Sequence, residues 1–279
     1  MTYQEIHTRL SLAGIENARA EARMLVEHFA GTDEQATSLF PDRTLPDPTG
    51  ALEDAVARRC AREPLQYILG CWCFWRQEYE VSPDCLVPRS DTERLVELAL
   101  AHLPQGGRFL DLCTGSGCIA ISLLCERPDA TAAAVELYPR TLALAQRNAE
   151  KNGVPTTRLS LIRGDVLCGD FLPTLGTFDL ILSNPPYIPT RDLAALSPEV
   201  HREPQAALDG GEDGLIFYRR ILAGADYRAA LRAGGAFLFE IGYDQGHALC
   251  ALAEEIGATC RIFKDYGGCD RVALVQVAP

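Results

Sequence analysis

From residue 108 onward the chain alternates short apolar runs with helical patterns, and no other feature constrains its fold as tightly. The runs Arg108–Leu112, Thr131–Glu136, Leu159–Arg163, Phe178–Ser183, Ala236–Ile241, Arg261–Phe263 and Arg271–Val277 read as strands. Between them, Ile119–Glu126, Thr141–Asn152, Leu215–Leu231 and Gly246–Ile256 read as helices. Such alternation predicts an α/β fold, an open and largely parallel sheet covered on both faces. No helix separates the last two strands, so they should form an antiparallel pair at one end of the sheet.

The chain upstream is different. Ala18, Ala22, Leu25, Val26 and Phe29 make one helical stripe, and Gly31-Thr32-Asp33 should end it and offer a new N-cap. The segment 41–50 is loop-like, with three prolines; Leu52, Ala55, Val56 and Cys60 mark a further helix that stops before Pro64. Residues 66–90 hold both tryptophans and a run of aromatic, β-prone residues, which reads as a hairpin whose rings pack a domain joint. Val87–Glu93 then enters a helix that Ser90 or Asp91 should cap. The expected organisation is a helical domain over 1–70, a hairpin linker over 71–90 and a catalytic domain over 91–279.

Composition narrows the functional classes. With 26 basic and 38 acidic residues the formal net charge is −12, a field that repels a phosphate backbone. The densest basic cluster, Arg58, Arg59 and Arg62, reads as solvated helix-surface charge. No apolar run reaches membrane-spanning length, and the N-terminus lacks a signal-peptide pattern, so the expected location is cytoplasmic. Eleven cysteines, without a C-x-x-C pair or a histidine cluster, are expected to be reduced, mostly buried side chains rather than metal ligands.

Asp111-Leu112-Cys113-Thr114-Gly115-Ser116-Gly117 follows the first strong strand and opens a helix, where a parallel sheet binds its ligand. Glu136 closes the next strand and suits ribose hydroxyls; Asp165, beside Val166, follows the third and can meet an adenine edge. The loop lacks a third glycine at Ala120 and has no P-loop lysine. A nucleoside cofactor without phosphates, S-adenosylmethionine, therefore fits better than a dinucleotide. Asp111 is expected to face its amino-acid end through an arginine or water.

Phe178–Ser183 ends in Asn184-Pro185-Pro186-Tyr187. The prolines stiffen this turn and lack N–H groups. The Asn184 side-chain oxygen and the Pro185 carbonyl can accept both hydrogens of one planar –NH2 group, and Tyr187 can stack on its face.

Taken together, these segments resemble the HemK/PrmC family of S-adenosylmethionine-dependent glutamine-N5 methyltransferases. The resemblance also rests on Arg62–Gly70, Val81–Pro83, Val87–Glu93, Glu203-Pro204, Leu208–Leu215, Asp265–Gly267 and Asp270-Arg271. It implies a class I methyltransferase, a Rossmann-like seven-stranded sheet with a small N-terminal helical domain joined by a β-hairpin. It implies that Cys113 to Gly117 contact the methionine part, that Glu136 holds the ribose and that Asp165 and Val166 border the adenine. Asn184, Pro185, Pro186 and Tyr187 would hold the acceptor glutamine, and Asn184 would also border the cofactor. The implied substrates are peptide-chain release factors, methylated in their Gly-Gly-Gln motif with S-adenosylhomocysteine as product and recognised in part by the N-terminal helices. A monomer without direct nucleic-acid or membrane contact is expected. Three positions depart from the family pattern: Cys113 and Ser90 stand where glycine and a second proline are usual, and Val166 where an aromatic residue is frequent.

A carboxamide nitrogen is a weak nucleophile, and no lysine or histidine flanks the turn; His201, in the following loop, is the one nearby candidate base. Positioning is therefore expected to dominate catalysis. The competing readings are a glutamine methyltransferase for a ribosomal protein, an amino-methyltransferase for DNA bases, and a non-catalytic module that retains the cofactor.

Overall fold

The computed structural model describes residues 1–32 and 39–277. Two compact units make up the chain: one of Met1–Cys71 with Ser197–Arg202, the other of Trp72–Leu196 with Glu203–Pro279.

In the first unit, helices α1 (Tyr3–Leu12), α2 (Ala18–Ala30), α3 (Ala51–Cys60) and α4 (Leu65–Leu69) close around one apolar core. Thr2 and Glu5 form a capping box at the start of α1. Helix α2 ends at a left-handed Gly31, as the sequence implies, while Asp33 lies outside the described residues. The segment 41–50 is free of helix and strand apart from a bridge between Thr44 and Thr2.

Two expectations fail here. Tyr67, Ile68 and Leu69 are not strand: they form α4, a single turn of helix set between Pro64 and a left-handed Gly70. Nor are Arg59 and Arg62 freely solvated, although Arg58 keeps a side-chain exposure of 40%. Arg59 is 5% exposed, with its guanidinium against Glu21 at 2.5 Å and Glu199 at 2.9 Å. Arg62 donates to the Gly14 carbonyl at 2.6 Å and to Glu199 at 2.8 Å. A charge on an amphipathic helix looks solvated until the chain returns an acid to it, and here the returning segment is Ser197–Arg202.

The hairpin β1 (Cys71–Phe74) and β2 (Gln77–Glu80), all but Cys71 in the second unit, is followed by α5 (Glu93–His102). Neither Ser90 nor Asp91 caps α5; both sit in a 3-10 turn over Ser90–Thr92 that leads into it. Next come β3 (Arg108–Leu112), α6 (Cys118–Glu126), β4 (Thr131–Glu136), α7 (Pro139–Lys151), β5 (Leu159–Arg163) and β6 (Phe178–Ser183). The chain closes with α8 (Ile216–Ala223), α9 (Ala225–Ala229), β7 (Leu231–Glu240), α10 (Gly246–Glu255), β8 (Ala258–Lys264) and β9 (Asp270–Val277).

The seven strands β3 to β9 form one sheet in the order β5-β4-β3-β6-β7-β9-β8. Strands β3 to β7 are parallel, while β9 runs antiparallel to both β7 and β8, as expected from the missing helix. An apolar core lies on each face. The inner strands are buried on both sides, which is why they read as unbroken hydrophobic runs. The helix expected over Leu215–Leu231 is broken at Gly224, whose backbone is extended (φ −65°, ψ 116°), and the Arg220–Asp226 ion pair fills the space a side chain would need there; its last residue, Leu231, already belongs to β7.

Only Cys85 and Cys118 are buried, whereas Cys73, Cys125, Cys168 and Cys269 are exposed, so the expectation of mostly buried thiols is wrong. Among the described residues no helix is long and apolar enough to cross a membrane, and no cluster of side chains could hold a metal ion.

Candidate active site

Strand order reverses at β3, whose successors β4 and β5 lie on one side and β6 on the other. Ligands of open α/β sheets bind outside the carboxyl ends of strands at such a point. A cleft of about 440 Å³ lies there, in the range of small-molecule sites. Its wall includes Cys113 to Ser116 after β3, Glu136 at the end of β4, Asp165 and Val166 after β5, and Asn184 and Pro186 after β6. Four segments read separately in the sequence thus meet in one cavity.

The loop after β3 is held from several sides. Gly115 and Gly117 take left-handed conformations, and so does Cys113, at φ 59°. A non-glycine residue there carries backbone strain, which explains why glycine is usual at that position. The Thr114 hydroxyl donates to Asp111 Oδ2 at 2.5 Å, and the Asn148 side chain reaches from α7 to the Ser116 carbonyl at 2.9 Å. The same Asn148 pairs with both backbone groups of Glu80, so the hairpin and the loop share one clamp.

Asp111 does not meet its expected role. It is fully buried beneath the loop and is not on the cleft wall. One carboxylate oxygen holds Thr114; the other, Oδ1, has no hydrogen-bond partner. Burial pushes its pKa up to about 7.

Glu136 accepts the Gly115 amide at 3.1 Å through Oε2 and the Tyr138 amide at 3.0 Å through Oε1. Each oxygen keeps a further lone pair. Burial raises its pKa, against the backbone donors that favour its charge. Asp165 caps its own turn, accepting the Leu167 amide at 2.8 Å, and Leu137, Val166 and Leu167 give this end of the cleft apolar walls.

The turn after β6 is divided. Asn184 and Pro186 line the cleft, whereas Pro185 and Tyr187 do not. Asn184 Nδ2 donates to the Thr92 hydroxyl at 3.2 Å, which leaves its amide oxygen to face elsewhere. Tyr187, expected to stack on a substrate, is partly buried against the core beside β7, its hydroxyl toward Glu240 Oε1 at 3.5 Å. Gly210 lies so close beneath the turn that a Cβ would stand 2.8 Å from both the Pro186 carbonyl and Tyr187 Cα. His201 is exposed and is not on the cleft wall.

Sequence reasoning missed Thr92, Asn148, Glu203 and Glu240. Glu203 is buried, bonds Arg89 and accepts the Val87 amide at 3.0 Å, fixing two more segments of the wall. A buried acid after a 3-10 turn carries no signal of its partners, but Asn148 could have been suspected as a polar residue on the apolar stripe of α7.

Residues 2–70 match the PrmC N-terminal domain, and residues 92–217 match the methyltransferase small domain. The chain is 45% identical, over 94% of its length and 91% of the relative's, to the release factor glutamine methyltransferase of Geobacter sulfurreducens. It is 44% identical to that of Rhodospirillum rubrum, over 96% of this chain and 82% of the relative. The chain belongs to the release factor glutamine methyltransferase family. A solved methyltransferase from Pyrococcus furiosus shares the fold of the second unit's class at 19% identity, with a TM-score of 0.51 over 71% of this chain and 86% of that one. The class I methyltransferase sheet expected from the sequence is the sheet observed. Family membership also makes the chain a methyltransferase that uses S-adenosylmethionine chemistry, and the cleft fits that cofactor in its own terms: a glycine-rich loop, an acid with spare lone pairs at the β4 end and apolar walls beyond it, without a phosphate cradle.

Proposed function

We propose that this protein transfers a methyl group to the side-chain amide nitrogen of the glutamine in the Gly-Gly-Gln motif of peptide-chain release factors. The observation that carries the reading is Asn184, which stands on the wall of the cofactor-sized cleft with its NH2 committed to Thr92. Its oxygen is thereby kept as an acceptor, the complement of a carboxamide N–H. Glu136 would hold the ribose, the loop from Cys113 to Ser116 the methionine part, and the stretch from Asp165 to Leu167 the adenine. Bound S-adenosylmethionine supplies an electrophilic methyl carbon on a sulfonium. The wall carries Asp84, Glu136, Asp165 and Asp209 against a single arginine, Arg89, which suits a cationic cofactor and disfavours duplex DNA.

Asn184 does the positioning. By accepting one N–H it turns the nitrogen lone pair toward the methyl carbon and favours the positive charge that grows on nitrogen. With S-adenosylmethionine bound, a carbon–nitrogen bond would form as the carbon–sulfur bond breaks, its electron pair staying on sulfur. The N-protonated amide is a strong acid, so water can take its proton and no histidine is required. Orientation of this kind contributes roughly 7–11 kcal/mol in favourable cases. The Pro185 carbonyl, in the same turn, would accept the second N–H. The N-terminal helices would recognise the folded release factor, in the cytoplasm where translation takes place.

Incubation with labelled cofactor tests the reading. Label should enter a release factor, but neither its Gly-Gly-Gln variant with alanine for glutamine nor duplex DNA. Label in the alanine variant, or in DNA alone, overturns it.

A further inference from the structure

The turn that carries Asn184 has few means of holding itself. Pro185 and Pro186 have no N–H to give, so its position depends on what reaches its two ends. At one end Asn184 Nδ2 goes to the Thr92 hydroxyl. At the other, Gln245 from the loop after β7 donates through Nε2 to the Tyr187 carbonyl at 2.9 Å and to the Gly214 carbonyl at 3.3 Å. Its Oε1 accepts the Gly242 amide at 2.8 Å. Gln245 is 7% exposed and directly precedes α10, at the position whose side chain ordinarily caps a helix, yet it makes no cap. Its carboxamide instead joins three segments: its own loop, the turn after β6 and the stretch around Gly214. That stretch is part of the site, since Gly211 and Ile216 on either side of Gly214 line the cleft.

A second observation points the same way. Gly214 is left-handed at φ 78°, and a Cβ there would collide with the Tyr187 carbonyl oxygen and stand 2.7 Å from Gln245 Nε2. The chain keeps a glycine where these two groups meet, so that the bond can form. The partners also single out a carboxamide. They require one acceptor and two donors at the end of one side chain, and a carboxylate of the same length offers no donor and sets a negative oxygen against two carbonyls. We propose that Gln245 is a positioning residue for methyl transfer: by holding the Tyr187 carbonyl it fixes where the turn after β6, and with it Asn184, stands at the cleft. The proposal rests on the reading of Asn184 given above. Gln245 is not on the cleft wall, so its effect falls on the rate of transfer and spares cofactor binding.

Single-turnover transfer to a release factor, at saturating cofactor and acceptor, tests this in the full-length protein well below its melting temperature. Each rate is divided by the fraction of sites that bind S-adenosylhomocysteine in calorimetry, so that unfolded protein does not count. Gln245→Met should lower the rate per site by roughly tenfold to a hundredfold, the cost of a displacement of up to about an ångström where orientation dominates, with S-adenosylhomocysteine affinity within about twofold of wild type. Gln245→Glu should be at least as slow, because it keeps the length of the side chain and the acceptor for Gly242 but loses both donors. A residue that only stabilises the fold would lower the melting temperature or the binding fraction and leave the rate per site unchanged; that result in Gln245→Met overturns the proposal. If Gln245→Met does not fold, Gln245→Glu and Gly214→Ala decide by the same criterion. Asn184→Ala separates the two levels. If it transfers at the wild-type rate, the underlying reading fails; if it is inactive while the Gln245 variants keep the wild-type rate per site, only the role of Gln245 fails.

Discussion

Glu136, at the end of β4, accepts the backbone amide of Gly115 in the loop after β3 at 3.1 Å. One carboxylate thus braces the cofactor loop and offers its remaining lone pairs to the cleft. Replacing Glu136 with alanine removes the brace and the ribose acceptor together. Cofactor affinity should fall by roughly thirtyfold or more, about 2 kcal/mol, in a calorimetric titration. Gln should lose nearly as much, because its NH2 meets a backbone donor that the carboxylate accepts. Wild-type affinity in both variants would remove Glu136 from the site.

Gly210→Ala should act on the acceptor side alone. The added carbon would crowd the Pro186 carbonyl and Tyr187 Cα, so the turn after β6 must shift. Displacements of about an ångström cost on the order of a hundredfold in rate when positioning dominates. The single-turnover rate should drop by about that factor while cofactor affinity is unchanged. A normal rate would show that the turn tolerates displacement and does not position the acceptor.

Arg59→Met should destabilise the first unit. It leaves Glu21 and Glu199 without the cation between them, and breaking a buried pair costs about 3–5 kcal/mol. Both acids are partly solvated, with side-chain exposures of 16% and 20%, and Arg62 still serves Glu199, so about 2 kcal/mol is the expected loss. Urea denaturation followed by circular dichroism reads it directly; an unshifted midpoint would mean the clamp contributes nothing.

Asp111 makes stability depend on pH in an unusual direction. Burial raises its pKa from 3.8 to about 7, so the folded state holds a proton that the unfolded chain releases. Its contribution is fully present below about pH 4 and is lost as the pH rises through 7. Glu240 acts with the same sign, from 4.5 to about 7. The cofactor-free protein should therefore lose stability between about pH 4 and 7, and Asp111→Asn should flatten that slope while keeping an acceptor for Thr114. Denaturation midpoints that rise with pH across this window in the wild-type protein contradict the assignment.

Much of this was legible because inner parallel strands are buried on both faces and their ends mark the site. Cys113, Glu136, Asp165 and Asn184 each follow an apolar run, and the runs found the sheet. Partnership across long stretches of chain was not legible. Thr92 meets Asn184 from 92 residues upstream, and Glu199 meets Arg59 from 140 residues downstream. An isolated hydroxyl or guanidinium looks the same in sequence whether water or an acid faces it. Tyr67 to Leu69 were misread for another reason: aromatic and branched residues favour strands only when a neighbouring strand is there to pack on, and Pro64 and Gly70 leave room for one helical turn.

The six residues Ser197–Arg202 complete a unit whose other residues are all among the first 71. A nascent chain that has exposed only its first hundred residues holds Arg59 with Glu21 and the Glu63 carbonyl, without Glu199. Glu199 arrives after β3 to β6 have been made. The apolar core of the N-terminal helices lies within residues 1–69, so they can close before the sheet is made, and the clamp on Arg59 and Arg62 is completed only when Glu199 follows.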